Sequence, residues 1–396
     1  MKSIKTRIER SLVIAALIPL LIVAGYVYFN TQSTLQSSGV DNMNRQIQLL
    51  SGNIESSLKH VPGDLFYLRD ANSMHHFGRA LVVNDQQAIE EFGRSIARDF
   101  LSIAKNRRIY NQIRFIDAKG MELIRVEHNE QEGTSRILQT ELLRDKSNSI
   151  YFQETTKLNF GDYYISPIDL NREDGQLERP LRPTLRFATP IFAVGERLVG
   201  VLILNVDANT FLDRVNTANK NEGLAFALSN PSGFLLANKQ DNQLNWGGLN
   251  DLNHGQTLAQ LLPHAAEQVL QLSQNTLLAS DDKLVTGSPV YAEAEKTHLL
   301  GYLVAYAPKS YAFKLLNDFI LSFAVFFVIA FIAILAFARK LSISLTKPLI
   351  YLTQAADKLS KGEMDTEISV KSNDEIQSLA EAFERLRESV KLLMRL

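Results

Sequence analysis

The feature that most constrains this chain is an apolar run at residues 319–338, FILSFAVFFVIAFIAILAFA, in which Ser322 is the only polar residue. A helix of about 20 residues rises roughly 30 Å, the thickness of a bilayer's hydrocarbon core. Asp318 precedes the run, and Arg339 and Lys340 follow it. A buried helix of a globular protein is usually shorter and keeps a polar face. The run therefore predicts a transmembrane helix.

A second apolar stretch, residues 12–29, lies near the N-terminus. Its length, the tyrosines Tyr26 and Tyr28 near its end and the lack of a convincing cleavage motif favour an uncleaved span over a signal peptide. Basic residues precede this span, and basic residues also follow the second one. The positive-inside rule therefore predicts that residues 1–11 and the chain after the second span are cytoplasmic. Residues 30–318 would then lie in the periplasm of a two-pass bacterial inner-membrane protein.

Composition excludes several classes of function. A formal net charge of −1 gives no indication of nucleic-acid binding. The chain has no cysteine, which removes disulfides, thiolate catalysis and zinc–thiolate sites. His75 and His76 are adjacent, so on a helix they point about 100° apart and do not form a metal-binding pair. No Gly-x-Ser-x-Gly motif is present. We expect no catalytic residue, no metal and no cofactor in this chain.

The outer region combines helices with antiparallel strands, so we predict an α+β fold there. Apolar periodicity predicts helices at residues 43–58, 86–105 and 138–154. Alternating patterns and turn residues predict strands, listed here by range: 113–116, 121–126, 163–166, 185–192 and 198–206. Residues 170–183 contain charges, a glycine and two prolines, which predicts a long excursion from the sheet.

A weaker pattern occurs twice in this region. FIDAKG at 115–120 resembles ALSNPSG at 227–233 in style. Pro190-Ile-Phe ahead of Gly200 likewise resembles Pro289-Val-Tyr ahead of Gly301. The repetition predicts two related strand-rich units in tandem, at about residues 60–207 and 208–311. Chance similarity between hairpins is the alternative.

A long helix followed by two such units resembles a double Cache, or PAS-like, extracellular sensor domain. The segments YNQIRFID at 110–117 and ISPIDLN at 165–171 also resemble Cache domains that precede bacterial diguanylate cyclases and histidine kinases. The resemblance implies that the first, membrane-distal unit holds a small ligand on the face of its sheet that points away from the long helix.

Four residues are candidates for that ligand site. Strand alternation places Arg114 and Arg186 opposite their apolar neighbours, so both arginines are expected on the ligand face. The planar guanidinium group suits a carboxylate or a phosphate. Tyr151 and Tyr164 would supply hydroxyl groups nearby. The alternative is that both arginines are exposed and paired with surface acids.

Two departures from the resembled family bear on the ligand. Amino-acid-binding Cache domains carry an Arg–Trp–Tyr cluster and an aspartate in the last strand. Here Trp246 is the only tryptophan and lies in the second unit, while Asn205 stands at the place of the aspartate. Asparagine supplies no negative charge for an ammonium group. A carboxylate or another anion is therefore favoured over an amino acid.

Two apolar seams follow the second span. Residues 345, 349, 352, 356 and 359, and then 376, 379, 383, 386, 390 and 393, alternate in steps of three and four, which is typical of coiled coils. Between the seams, Gly362 can end the first helix, and Met364 and Ile368 can pack inward. Asp374 and Glu375 suit the start of the second helix.

This helix–connector–helix pattern, with Pro348 near its start, resembles a HAMP domain at residues 339–393. The resemblance implies a parallel four-helix bundle made by two subunits, and hence a homodimer. Residues 394–396 end the sequence. It contains no cyclase signature, ATP-binding loop or phosphoacceptor helix.

We therefore predict a dimeric transmembrane receptor that senses a small ligand and relays the signal through HAMP to a cytoplasmic output protein or domain. Three alternatives stay open. The chain is the sensory part of a diguanylate cyclase or histidine kinase that continues past residue 396, a co-receptor that acts through protein contacts, or a purely structural membrane anchor.

Overall fold

The structure is a computed structural model that describes residues 4–130, 132–173, 175–193, 195–218, 223–238, 255–278, 283–363 and 365–393. Trp246 and Met364, which the sequence analysis singled out, lie outside these residues. The chain divides into two compact units, one formed by residues 1–36 with 313–396 and the other by residues 37–312. The two units are described separately below.

The helices, in chain order, are α1 (Ile4–Leu58), α2 (Val61–Arg69), α3 (Asn72–Val83), α4 (Gln86–Arg107), α5 (Ile150–Thr155), α6 (Asn209–Ala218), α7 (Leu258–Leu261), α8 (Ala266–Val269), α9 (Lys309–Ser360) and α10 (Glu375–Leu393). The strands are β1 (Tyr110–Asp117), β2 (Glu122–Asn129), β3 (Thr134–Ile137), β4 (Tyr164–Ile165), β5 (Asp169–Leu170), β6 (Arg172–Glu173), β7 (Gln176–Leu177), β8 (Pro183–Ala193), β9 (Arg197–Asp207), β10 (Ala225–Ser229), β11 (Leu235–Asn238), β12 (Thr276–Leu278), β13 (Lys283–Tyr291) and β14 (Leu299–Pro308).

Two helical segments of the first unit are long and apolar enough to cross a membrane. They are Lys5–Asn30, with a mean hydropathy of 2.5, and Asp318–Ser360, with a mean hydropathy of 3.0. Large apolar side chains such as Ile22, Phe29 and Phe326 are exposed along them, as expected of surfaces that contact lipid. The two predicted spans fall within α1 and α9.

The second unit contains two large antiparallel sheets and the separate two-stranded pair β6–β7. The first has seven strands in the order β3-β2-β1-β9-β8-β4, with β5 also paired to β8. The second has five strands in the order β11-β10-β14-β13-β12. The central order β2-β1-β9-β8 of the first sheet matches β11-β10-β14-β13 of the second. The repeated sequence pattern thus corresponds to two sheets of like topology.

One continuous apolar core lies behind both sheets. It joins the second half of α1 to the inward faces of the strands, through residues such as Ile47, Leu58, Phe115, Phe187 and Leu303. The predicted periodicity at residues 43–58 is confirmed, because Met43, Ile47, Ile54 and Leu58 are all buried. Packing of this stripe against the sheets uses the face that a 3.6-residue period provides.

The predicted helix at residues 138–154 is wrong. That segment contains a single turn of 3-10 helix, Thr140–Leu142, and only the short α5 at its end. The backbone between them bonds to the first hairpin instead, since Lys146 N–H donates to the carbonyl of Gly120 at 2.7 Å. Tertiary hydrogen bonds have overridden local helix propensity here.

Candidate ligand site

The site lies on the outward face of the first sheet. Strand pairing sets Arg125 of β2 beside Arg114 of β1. It also sets Gln112 of β1 beside Asn205 of β9, and Asn205 beside Arg186 of β8. Side chains paired in this way point to one side of a sheet. We call these five residues the arginine face.

Alternation along the strands explains why arginines occur here. Ile113 and Phe115 enter the apolar core, so Arg114 between them must point to the other side. Leu185 and Phe187 have the same effect on Arg186. The sequence-based prediction that the two arginines share one face agrees with this arrangement. The alternative of exposed arginines is wrong, because Arg114 is 1% exposed and Arg186 is 5% exposed.

Arg114 is surrounded by polar groups. Its Nη1 donates to Oε1 of Glu122 at 2.9 Å and to the hydroxyl of Tyr151 at 3.4 Å. Its Nη2 donates to Oε1 of Gln112. The Glu122 side chain is fully buried, and its carboxylate forms ion pairs with Arg114 and with Arg125, which lies 3.6 Å away. Breaking such a buried pair leaves an uncompensated charge.

Arg125 brings two further carboxylates to the face. Its Nη2 donates to Glu127 at 2.6 Å and to Glu173 at 3.0 Å. Burial lowers the pKa of Arg125, but the carboxylates of Glu173, Glu122 and Glu127 outweigh burial and raise it overall. Burial likewise raises the pKa of Glu127, and Arg125 and Arg136 outweigh it, so that carboxyl has a lowered pKa.

Arg186 and the two predicted tyrosines complete the site. Arg186 donates to Asp169 at 2.6 Å and to the side-chain oxygen of Asn171 at 3.0 Å. Its guanidinium lies 5.2 Å from the ring centre of Tyr151, a cation–π distance. Tyr164 and Tyr151 pack against one apolar cluster on this side of the sheet. Burial and the nearby Glu154 raise the pKa of Tyr164, so its phenol stays protonated at neutral pH. All four predicted ligand-site residues are thus neighbours.

Glu173 lies over the arginine face. It comes from the short β6–β7 hairpin, which is separate from the main sheet. Besides Arg125, its carboxylate accepts from Lys146 at 2.9 Å and lies 3.9 Å from Arg114. Burial raises the pKa of Glu173, but Arg114, Arg125 and Lys146 outweigh burial and lower it to about 2.

Several buried polar atoms of the arginine face lack a hydrogen-bond partner within the part of the chain that the structure describes. They are the Nε–H donors of Arg114, Arg125 and Arg186 and the acceptor Oδ1 of Asn205. Buried polar groups of native proteins are normally satisfied, so such a concentration needs an explanation.

Arg125, Lys146, Glu122 and Glu173 were missed by the sequence analysis. Arg125 alternates with the inward-facing Ile124 and Val126, which is the signal that identified Arg114, and it could have been found in the same way. Lys146 lies in an irregular segment, and Glu173 lies in a strand of two residues, which is too short for a period to indicate direction.

The predicted relay residues lie in the other unit. Pro348 is inside α9, and Gly362 follows the end of that helix with a φ of +85°. Ile368 is buried against Leu352 and Ala380, and its N–H donates to Glu384 at 2.8 Å. Asp374 accepts from the N–H of Ile376 at 3.0 Å, and Glu375 is the first residue of α10. The connector is therefore tied to α10 at Ile368, near its middle, and at Asp374, its last residue.

Comparisons with known proteins agree with this architecture. The chain is 22% identical to a domain of a sensory box/GGDEF family protein from Vibrio parahaemolyticus, with a TM-score of 0.53, over 72% of this chain and 98% of that one. It is also 22% identical to the extracellular domain described as that of histidine kinase vpHK1S-Z8, with a TM-score of 0.53, over 74% and 98%. A ligand-binding domain of the Campylobacter jejuni chemoreceptor Tlp3 is 13% identical, with a TM-score of 0.46, over 70% and 94%. No curated protein sequence matches the chain.

The chain has two sheets of like topology, and the first of them carries a buried polar face. Apolar helices precede and follow the sheets in sequence, and two further helical segments lie at the end. This arrangement defines a transmembrane sensor. Residues 69–299 match the family model for the sensor domain of bacterial histidine kinases, and residues 340–391 match the HAMP domain. The chain belongs to the first of these families, and it carries a HAMP domain after its second apolar helix. The predictions of a Cache-like sensor, of HAMP and of a signalling receptor are confirmed.

Proposed function

We propose that this receptor detects a small carboxylate at the arginine face. The observation that carries the proposal is the set of three buried Nε–H donors without described partners, on one face of one sheet. Each buried donor that stays unpaired costs about 1–3 kcal/mol. A ligand with anionic oxygens would satisfy them, and a ligand hydroxyl or amine would satisfy Asn205.

A carboxylate is favoured over other anions because the face already accommodates one. Arg125 and Lys146 hold the Glu173 carboxylate by charge-assisted hydrogen bonds at 3.0 and 2.9 Å. Arg186 and Tyr151 lie beside this position and would contact the rest of the ligand. Tyr164 would close the site on the side of β4.

The sensor is proposed to lie in the periplasm, with both chain termini in the cytoplasm. This orientation is supported by Lys5, Arg7 and Arg10 before the first span and by Arg339 and Lys340 after the second. Ligand binding would bias the HAMP bundle of a homodimer between two packings. The HAMP bundle would pass the signal to a cytoplasmic output protein or domain, with no catalysis by the sensor and HAMP segments themselves.

The test uses the full chain in lipid nanodiscs and a panel of acetate, succinate, citrate and aspartate, each paired with its amide. We expect at least one carboxylate to raise the Tm of the wild type and to lose this effect in the Arg114→Ala, Arg186→Ala double variant. Arg69→Ala is the matched control, because Arg69 is also mostly buried but lies at the end of α2 and pairs with the next residue, Asp70. An unchanged carboxylate response in the double variant contradicts the proposal.

A second candidate is favoured by the family match. The sensor would then control a histidine kinase or diguanylate cyclase domain encoded directly after residue 396. The reading frame decides between the candidates, since an open frame beyond Leu396 supports a fused output domain and a stop codon supports a separate output protein.

A further inference from the structure

The Glu173 carboxylate has the surroundings of a bound ligand rather than of a surface acid. Its Oε1 accepts from Arg125 Nη2 at 3.0 Å, from Asn171 at 3.4 Å and from Gln112 at 3.5 Å. Its Oε2 accepts from Lys146 Nζ at 2.9 Å and from Arg125 Nη1 at 3.2 Å. Arg125 therefore binds both oxygens, which is the two-pronged geometry by which arginine recognises carboxylates.

The four buried cations around Glu173 are matched by four acids only when its carboxylate is counted; a fifth cation, Arg136, shares Glu127 but its side chain is 72% exposed. Arg114, Arg125, Lys146 and Arg186 face the acids Glu122, Glu127, Asp169 and Glu173. Removing Glu173 leaves the described cluster with one uncompensated positive charge. The loss falls on Lys146, whose side chain is 8% exposed and whose ion pair within the described residues is with Glu173. A buried cation without a counter-charge is costly, so another anion is needed at this position.

The segment that carries Glu173 is weakly attached to the sheet. β6 and β7 are strands of two residues each, and they pair with one another rather than with the main sheet. Two-stranded hairpins of this kind have little stability of their own. Displacement of the hairpin would cost the β6–β7 pairing and the packing of Leu177 against the core, and it would break no strand pairing of the main sheet.

From these observations we propose that Glu173 is an internal occupant of a carboxylate subsite formed by Arg125, Lys146 and Arg114. A ligand carboxylate binds by exchanging with Glu173 and restores the same charge balance. The inference rests on the proposed function, and it adds the subsite, its residues and a competitor within the chain.

Exchange has a consequence for the kind of ligand that the receptor accepts. A carboxylate tethered by a short flexible segment has an effective concentration in the millimolar range or above. A ligand with one carboxylate and no other polar group competes poorly with it. The ligand must gain affinity from further contacts, which Arg186, Tyr151 and Asn205 are placed to make. The subsite thus selects carboxylates that carry a second polar group.

The test is chemical rescue of Glu173→Ala with acetate, in the full chain in nanodiscs at pH 7 and constant ionic strength. Alanine lacks the acetate-like end of the glutamate side chain, so the variant should have a Tm lower than the wild type by about 5 °C. Acetate should raise the Tm of this variant saturably and acetamide should not. Neither compound should change the wild type. Glu178→Ala is the matched control, because Glu178 lies in the same excursion but pairs with Arg182 at 3.3 Å and shares only Asn171, at 2.8 Å, with the surroundings of Glu173.

Glu173→Gln provides a second measurement that keeps the side-chain shape and so protects folding. Without the internal competitor, succinate should bind this variant at least about tenfold more tightly than it binds the wild type. No acetate-specific rescue of Glu173→Ala, or equal succinate affinities for Glu173→Gln and the wild type, overturns the inference.

The two proposals fail in different ways. If a carboxylate stabilises the wild type through Arg114 and Arg186 while both Glu173 variants behave like the control, only the internal-occupant inference is lost. If acetate rescues Glu173→Ala while no carboxylate stabilises the wild type, the subsite stands and the proposed function fails.

Discussion

The two large sheets within residues 37–312 place different chemistry at equivalent positions. Each has a hairpin with an irregular register, between Phe115 and Ile116 in the first sheet and between Leu228 and Ser229 in the second. When these irregularities are superimposed, and Gly200 is placed on Gly301, each strand of the first sheet aligns with its counterpart in the second sheet. The matched pairs are Gln112 with Ala225, Arg114 with Ala227, Glu122 with Leu235, Arg125 with Asn238, Arg186 with Val285 and Asn205 with Tyr306.

Every charged residue of the arginine face therefore has an uncharged counterpart in the second sheet. The second face is covered by its own apolar cluster, which includes Ala227, Val285 and Val304 together with Leu258 of α7 and Val269 of α8. The same topology thus supports a polar outward face in the first sheet and a packed apolar face in the second sheet. Because both sheets share this topology, the arginine face results from the residues at about six matched positions.

The largest expected effect comes from placing residues of the second sheet at the matched positions of the first sheet. Arg114→Ala removes the 2.9 Å partner of the buried Glu122, so we expect a loss of about 3–5 kcal/mol. Adding Glu122→Leu reproduces the pair Ala227 and Leu235, and it should restore most of the stability because the unpaired charge is gone. Thermal unfolding of the full chain measures both. A double variant that is no more stable than Arg114→Ala would show that the two faces are not interchangeable.

A smaller effect is expected from acid. The pKa of Glu173 is lowered to about 2, so its contribution to stability is complete above its unfolded pKa near 4.5. The contribution is lost as the pH falls from about 4.5 to 2. After allowance for partial exposure, we expect a loss of about 2 kcal/mol in the wild type that Glu173→Gln does not show.

The free energy of unfolding of the wild type and of Glu173→Gln should be measured at pH 7, 4 and 3. The difference between the two values at each pH separates the contribution of Glu173 from that of the other acids. The second sheet has no comparable acid at the positions matched to the arginine face, so acid should weaken the first sheet selectively. Hydrogen exchange of β1 and β10 would show this. Parallel pH curves for wild type and Glu173→Gln would mean that the Glu173 contacts are energetically neutral.

The sequence predicted the direction of side chains better than their surroundings. Alternation around Ile113, Phe115, Leu185 and Phe187 was enough to place Arg114 and Arg186 on one face, because strand geometry is local. The glycine near the start of the last strand of each repeat could also be identified, and packing explains both glycines. A Cβ on Gly200 would lie 2.3 Å from the carbonyl of Ile116, and one on Gly301 would lie 1.8 Å from the carbonyl of Ser229.

Burial and ion pairing could not be predicted in the same way. Glu173 and Lys146 meet across 27 positions of sequence, through loops with no period. The failed helix at residues 138–154 has the same cause. Its apolar spacing fitted a helix, but Met121 pairs with Asp145 and fixes the backbone alongside the first hairpin. Contacts between distant segments set both features, and local pattern carries no information about them.

The smallest expected effect tests whether the second face is purely structural. The Tyr306 hydroxyl donates to the side-chain oxygen of Asn238 at 3.1 Å, and burial raises the pKa of Tyr306 to about 12. Tyr306→Phe should cost about 1 kcal/mol through this lost hydrogen bond and leave the carboxylate response unchanged. Asn205→Ala, at the matched position of the first sheet, should weaken that response, because Asn205 would contact the ligand. The carboxylate-induced change in Tm distinguishes the two variants, and a weakened response in Tyr306→Phe would show that the second face also takes part in the response.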